Sequence, residues 1–134
     1  MLILKDDGTI AITRGDTGSF RYTPSFCVND AIAVFSVKTV FARDDVIVKL
    51  LELNEDGTLT VNLDSADTDL PSGAYVYDVR YLVTPVFDKG NIVSAEQIIT
   101  PDEPGVFLIL DAVTDFRAVV IGGEQNADTG LYRP

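Results

Sequence analysis

The sequence predicts an all-β protein, an antiparallel sandwich or barrel of about eight or nine short strands. Two observations carry that expectation. Apolar residues recur at every second position in one run after another, as they do when one face of a strand is buried. Asp-Gly, Ser-Gly and Lys-Gly pairs separate these runs, each able to supply the positive φ of a tight hairpin. No window of about eleven residues keeps helical spacing between caps, so no long helix is expected.

The elements follow along the chain. Asp7-Gly8 marks the first turn. "TRGDTGSF", residues 13–20, lies between apolar Ile12 and Phe20 and reads as a tight link between two strands. There Gly15 and Gly18 can take backbone angles that other residues avoid, while Asp16 or Thr17 can bond nearby amides. "AIAVFSVKTVF" and "VIVKLLEL", residues 31–41 and 46–53, are rich in β-branched and aromatic residues and read as strands. After Asp56-Gly57, "TLTVNL" alternates Leu59, Val61 and Leu63 with polar residues. "DSADTDLPSG", residues 64–73, is a polar connection with one helical turn, started by an Asp or Ser cap and stopped near Pro71. In "AYVYDVRYLV", Tyr75, Tyr77, Val79, Tyr81 and Val83 share a face, with Asp78 and Arg80 opposite. Lys89-Gly90 turns the chain again, and "GVFLIL", residues 105–110, suits a strand covered on both faces.

These elements form one domain over residues 1–115, long enough for a two-layer core. Residues 116–134 form a C-terminal extension in which Val119 to Ile121 is an edge strand or a docking segment. Hydrophobic content is 46%, yet no apolar run approaches the length of a membrane span. The leading "MLIL" is too short for a signal-peptide core, so synthesis in the cytoplasm without a leader is expected. One cysteine, Cys27, excludes an internal disulfide framework and is expected as a small buried hydrophobe. The formal charge of −11, with basic residues isolated along the chain, makes nucleic acid and anionic membrane poor partners.

Several motifs invite a chemical reading. Arg14-Gly15-Asp16 spells an adhesion signal, but adhesion needs a protruding loop on a secreted protein. Asp16-Thr17-Gly18 and Asp128-Thr129-Gly130 spell the aspartic-protease triplet twice. That chemistry needs two carboxylates sharing a proton. Arg14-Gly15 and Asn126-Ala127 stand where buried strand residues should deliver each Asp, and the second copy lies four residues from the C-terminus. With no histidine, the usual general base and most zinc arrangements are absent. Asp64, Asp67 and Asp69 could offer oxygen ligands to calcium, although their spacing is not that of an EF-hand and suits turn caps better. Gly122-Gly123 lacks the lysine of a phosphate loop. The tyrosines at 75, 77 and 81 fit core packing with hydroxyls at a rim better than a sugar platform. No catalytic residue, metal or cofactor is expected.

Four stretches, "IAITRGDTGSFRY", "AVFSVKT", "DSADTDLPSGAYVYDVRY" and "VFLILDAVT", resemble in order and spacing a known family over residues 8–114. It is the N-terminal module of phage baseplate upper proteins, with related small tail proteins of phages and prophages of Gram-positive bacteria. The resemblance implies an immunoglobulin-like β-sandwich with a structural role in the virion, docking on other tail proteins, without an active site. A homo-oligomer is the expected assembly. In that pattern Gly15, Asp16 and Gly18 belong to a structural turn joining the first long strand to the next. Asp67 or Thr68 caps a helical turn, Leu70 is buried, and Gly73 turns the chain into a central strand. A bacterial surface module for adhesion or carbohydrate binding is the alternative.

Overall fold

A computed structural model describes residues 1–112. The expected extension from residue 116, its Val119–Ile121 segment, the second Asp-Thr-Gly and the domain boundary at 115 lie outside the described residues. Ten strands and one short helix follow in order: β1 (Leu2–Leu4), β2 (Ile10–Thr13), β3 (Gly18–Tyr22), β4 (Ala31–Thr39), β5 (Asp45–Leu50), β6 (Glu52–Leu53), β7 (Leu59–Leu63), α1 (Ser65–Thr68), β8 (Gly73–Asp88), β9 (Asn91–Ile99) and β10 (Gly105–Leu110). The all-β architecture expected from alternation is present. Among the described residues the strand count is ten against about eight or nine expected: β1 is too short to show a period, and residues 46–53, read as one strand, divide at Leu51 into β5 and β6.

The strands form two sheets. The larger runs β1-β2-β10-β8-β4-β5, with β9 also paired to β8; the smaller runs β3-β7-β6. The larger sheet is mixed, which corrects the purely antiparallel expectation: β10 lies parallel to β2, with Phe107 beside Ile10 and Ile109 beside Ile12. The link at residues 14–17 carries the chain from the larger sheet to the smaller, and Leu51 alone separates β5 from β6 on the return.

Alternation fixes what faces inward. Tyr75, Tyr77, Val79 and Tyr81 of β8, Ala33, Phe35 and Val37 of β4, and Phe107 and Ile109 of β10 meet Phe20, Leu59, Val61 and Leu63 of the smaller sheet. Phe35 sits at the centre, wholly buried. Its ring meets Phe20 edge-on across the sheets at 6.1 Å, and Tyr77 and Phe107 within its own sheet at 5.5 and 6.2 Å. These spacings suit the aromatic quadrupole. β10 was expected to be covered on both faces; instead Val106 is exposed and Leu108 half-buried on its outer side. Strand β4 also ends earlier than its composition suggests, leaving Val40 and Phe41 in a turn.

Two connections repeat one design. Asp7-Gly8-Thr9 and Asp56-Gly57-Thr58 each place glycine at positive φ, 90° and 87°. The following threonine amide donates to the Asp carboxylate at 2.9 and 3.0 Å. The Thr9 amide holds the exposed Asp7 carboxyl below the usual Asp range, and the Thr58 hydroxyl, donating at 2.6 Å, and then the Thr58 amide do the same for Asp56. Lys89 and Gly90, at φ 54° and 83°, supply the paired positive angles of a tight hairpin.

Phe35→Ala removes the ring that spans both sheets. It should destabilise the domain by about 3–5 kcal/mol, measured by urea unfolding followed by circular dichroism; a loss below about 1 kcal/mol would show that the cluster is not central.

Candidate functional site

The turn residues singled out in the sequence gather at one end of the sandwich. The main-chain amide of Asp16 donates to the Thr13 carbonyl at 3.0 Å, closing a turn with Gly15 at φ 81°. Gly18 acts differently. It has no positive φ; a Cβ there would stand 3.2 Å from methyls of Ile12 and Leu2, so a side chain would require these neighbours to shift by a few tenths of an ångström. Gly73 begins β8 at φ 144°, a backbone angle that strains any side chain.

Helix α1 packs beneath this turn. Its N-cap is Asp64, an Asp cap as the reading of residues 64–73 expects, and not the Asp67 or Thr68 of the family pattern. Asp67 occupies the third helical position and completes a reciprocal capping box, its amide donating to Asp64 at 2.8 Å and its carboxylate accepting from the Asp64 amide at 2.9 Å. Thr68 caps nothing. It is wholly buried and donates to the Asp16 carbonyl at 2.7 Å, while its own carbonyl accepts from Gly15 at 3.3 Å. The Ser65 hydroxyl adds a bond to the Gly15 carbonyl at 2.7 Å. Leu70, expected to be buried, is half-buried against the core.

The carboxylates considered for calcium have other work. Lys49 pairs with Asp67 at 2.8 Å and Asp64 at 3.8 Å, and the Asp67 bond raises the lysine above its ordinary range. The Asp67 amide, then Lys49, hold Asp64 low. Asp69 takes the Arg14 guanidinium at 3.0 Å, and Asp16 pairs with the Met1 amine, so both charged members of Arg14-Gly15-Asp16 are engaged. Among the described residues no group of three His, Cys, Asp or Glu side chains could hold a metal ion.

Tyr75, Tyr77 and Tyr81 are buried between the sheets and offer no aromatic platform. Tyr75 and Tyr77 donate to the carbonyls of Pro71 and Gly8 at 2.7 and 2.6 Å, as rim hydroxyls do. Tyr81 departs from that reading: its hydroxyl is buried without a partner among the described residues, and burial raises its pKa. Cys27, expected inside, is exposed, its thiol 3.6 Å from the Gly57 carbonyl. Among the described residues no helix is long and apolar enough to cross a membrane.

Two features escaped the sequence reading. At the opposite end, Asp102 accepts from the Tyr22 hydroxyl at 2.5 Å, the Ser25 amide at 3.2 Å and the Ser25 hydroxyl, latching the β9–β10 connection to the loop after β3. Burial alone would raise the Asp102 carboxyl, but the bonds from Ser25 and Tyr22 outweigh it and hold it below the ordinary range. The phenol of Tyr22 is pushed up, by burial first and by Asp102 second. No motif announces this latch, because its partners lie 77 and 80 residues apart.

The second feature is Phe41, 97% exposed at the tip between β4 and β5. The tip is firmly made. Arg43 and Asp44 donate main-chain bonds to the Thr39 carbonyl and hydroxyl at 3.2 and 3.0 Å, and Thr39 donates to the Asp44 carbonyl at 3.0 Å. No local signal marks it, since Val40 and Phe41 continue the β-rich run that begins at residue 31. Because Thr39 pairs with Tyr75, this tip lies at the same end as α1. No protein-family model matches the chain, and no curated protein matches it.

Thr68→Val keeps the shape but leaves the Asp16 carbonyl unpaired; it should cost about 1–3 kcal/mol in urea unfolding, with Thr68→Ser restoring most of the loss. Asp102 gives a pH-dependent outcome. A carboxyl depressed on folding contributes stability above its unfolded pKa, and that contribution fades as pH falls through the folded value. Asp102→Asn should therefore destabilise by roughly 1 kcal/mol at neutral pH and by progressively less below about pH 4, as read from urea midpoints across pH.

Proposed function

We propose that the chain is a non-enzymatic structural component of a phage or prophage virion, in the tail or baseplate, that works by docking on other virion proteins. The observation that carries this reading is Phe41. A large aromatic ring held almost wholly in water on a well-bonded tip costs solvation and returns nothing to the fold. Seated in an apolar pocket of a partner, the same ring becomes an anchor, the role aromatic residues most often play at interfaces. The resemblance over residues 8–114 supplies the virion as the setting. The acidic surface turns the partner away from nucleic acid and anionic membrane and toward protein. The side chains with chemical potential add to the reading, since Asp64, Asp67, Asp69 and Asp102 are committed to caps, ion pairs and a loop latch.

The test is composition. Particles purified from the encoding bacterium should contain the chain at a fixed copy number by quantitative mass spectrometry. Phe41→Ala should lower its incorporation at least tenfold while leaving urea unfolding unchanged. Absence of the chain from purified particles overturns the proposal.

A further inference from the structure

β9 presents an edge that the rest of the molecule has avoided elsewhere. Among the described residues it pairs with β8 alone, so one side of residues 91–99 has no strand beside it. None of these residues is buried, and Val93 and Ile98 are 59% and 52% exposed. Beyond Val83, where β4 stops, the β8–β9 ribbon continues as two strands only, a length that is marginal without further support.

Open edges are normally blunted by shortness, charge, proline or a bulge, which keep strands of different molecules from pairing. The other open edges among the described residues follow the rule. β1 and β6 are three and two residues long. β5 carries Asp45 and Lys49, and β3 carries Arg21. The far side of distal β8 holds Thr84 at φ 50° followed by Pro85, which has no N–H to give. β9 has no proline and no lysine, and Glu96 is its one charge in nine residues. Its register shift falls near the hairpin tip, leaving Ser94–Ile99 in regular pairing with β8.

We propose that β9 is a homodimer edge, pairing antiparallel with β9 of a second copy across a twofold axis. Charge permits a second copy at this edge, although it opposes one over the rest of the surface. Two chains of net charge −11 each can approach closely only over a surface that adds little to the repulsion, and β9 brings one carboxylate per copy. Side-chain direction and charge then select the register. A twofold through the sheet needs residue numbers that sum to an even value, so that paired side chains share a face. An axis at Glu96 would set two carboxylates against each other. An axis at Ala95 places Glu96 opposite Ser94 and Ile98 opposite Ile92, burying Ile98 against an apolar neighbour and joining the two larger sheets into one. The contact is isologous and therefore closes at two copies.

This inference deepens the docking role proposed above, on a different element from Phe41, so the two fail separately. The intact chain should show the mass of two chains by size-exclusion chromatography with light scattering. Ala95→Lys and Ile98→Lys, each on an unburied position, should raise the dimer dissociation constant at least tenfold with the circular dichroism spectrum unchanged. In a Cys27→Ser background, Ala95→Cys should form an intermolecular disulfide on mild oxidation, while Asp45→Cys on the β5 edge should not. A monomeric chain at high micromolar concentration overturns the dimer and leaves particle association intact. A dimer indifferent to both lysine substitutions and unlinked through position 95 also overturns it. Absence from particles with the dimer present sinks only the virion role.

Discussion

The contact on which the sandwich depends is the edge-on meeting of Phe35 with Phe20. It is the one aromatic pair described that crosses between the two sheets. Phe35 also touches Tyr77 and Phe107, so a single side chain ties the smaller sheet to three adjacent strands of the larger. Because protein interiors are close-packed, the position of that ring constrains the separation of the sheets and the level at which their inward residues meet. The parallel pairing of β10 with β2 follows the same need. It brings Phe107 and Ile109 beside Ile10 and Ile12, closing the core on the side that β8 and β4 do not reach.

The ends of the sandwich are sealed by polar contacts. At one end Thr68 and Ser65 supply hydroxyls to the carbonyls of the turn at residues 15 and 16; at the other Asp102 gathers Tyr22 and Ser25. Both seals bring together residues distant in sequence, and both satisfy groups that would otherwise be costly to remove from water. The acidic residues near α1 have a related explanation. A short helix has little stability of its own, and Asp64 and Asp67 stabilise it by occupying its free amides while Lys49 offsets their charge. An acidic cluster beside a helical turn thus reads as capping chemistry once the amides are in view.

Local periodicity made the strands legible. Leu59, Val61 and Leu63, and the alternating tyrosines of β8, point inward as their spacing demands. The turns were legible where their chemistry is local, as in the matched Asp-Gly-Thr connections. What stayed hidden was relational. Gly18 signals a turn by type, but its use is a close approach to Ile12 and Leu2, which depends on where β1 lies. Val40 and Phe41 continue a β-rich run, and only the bonds closing around Thr39 reveal them as a tip. The Asp102 latch depends on contacts across 77 and 80 residues that no window of sequence contains.

The exposed apolar groups now form a pattern that solubility alone does not produce. A chain with a net charge of −11 is well protected against casual association, since like copies repel wherever their surfaces are generically acidic. The exposed apolar groups are spatially distinct: Phe41 at the α1 end, flanked by Lys38, Arg43, Asp44 and Asp45, and Val86, Phe87 and Val93 on the β8–β9 ribbon at the other. A tip presents one ring and selects a partner with a matching pocket. An edge presents a row of main-chain groups and selects a partner with an edge of its own. Under the docking role and the dimer edge proposed above, placing the two at opposite ends would let the sandwich hold neighbours on both sides at once. On that proposal, repulsion over the remaining acidic surface would keep other contacts from competing, and the acidity would contribute to specificity as well as to solubility.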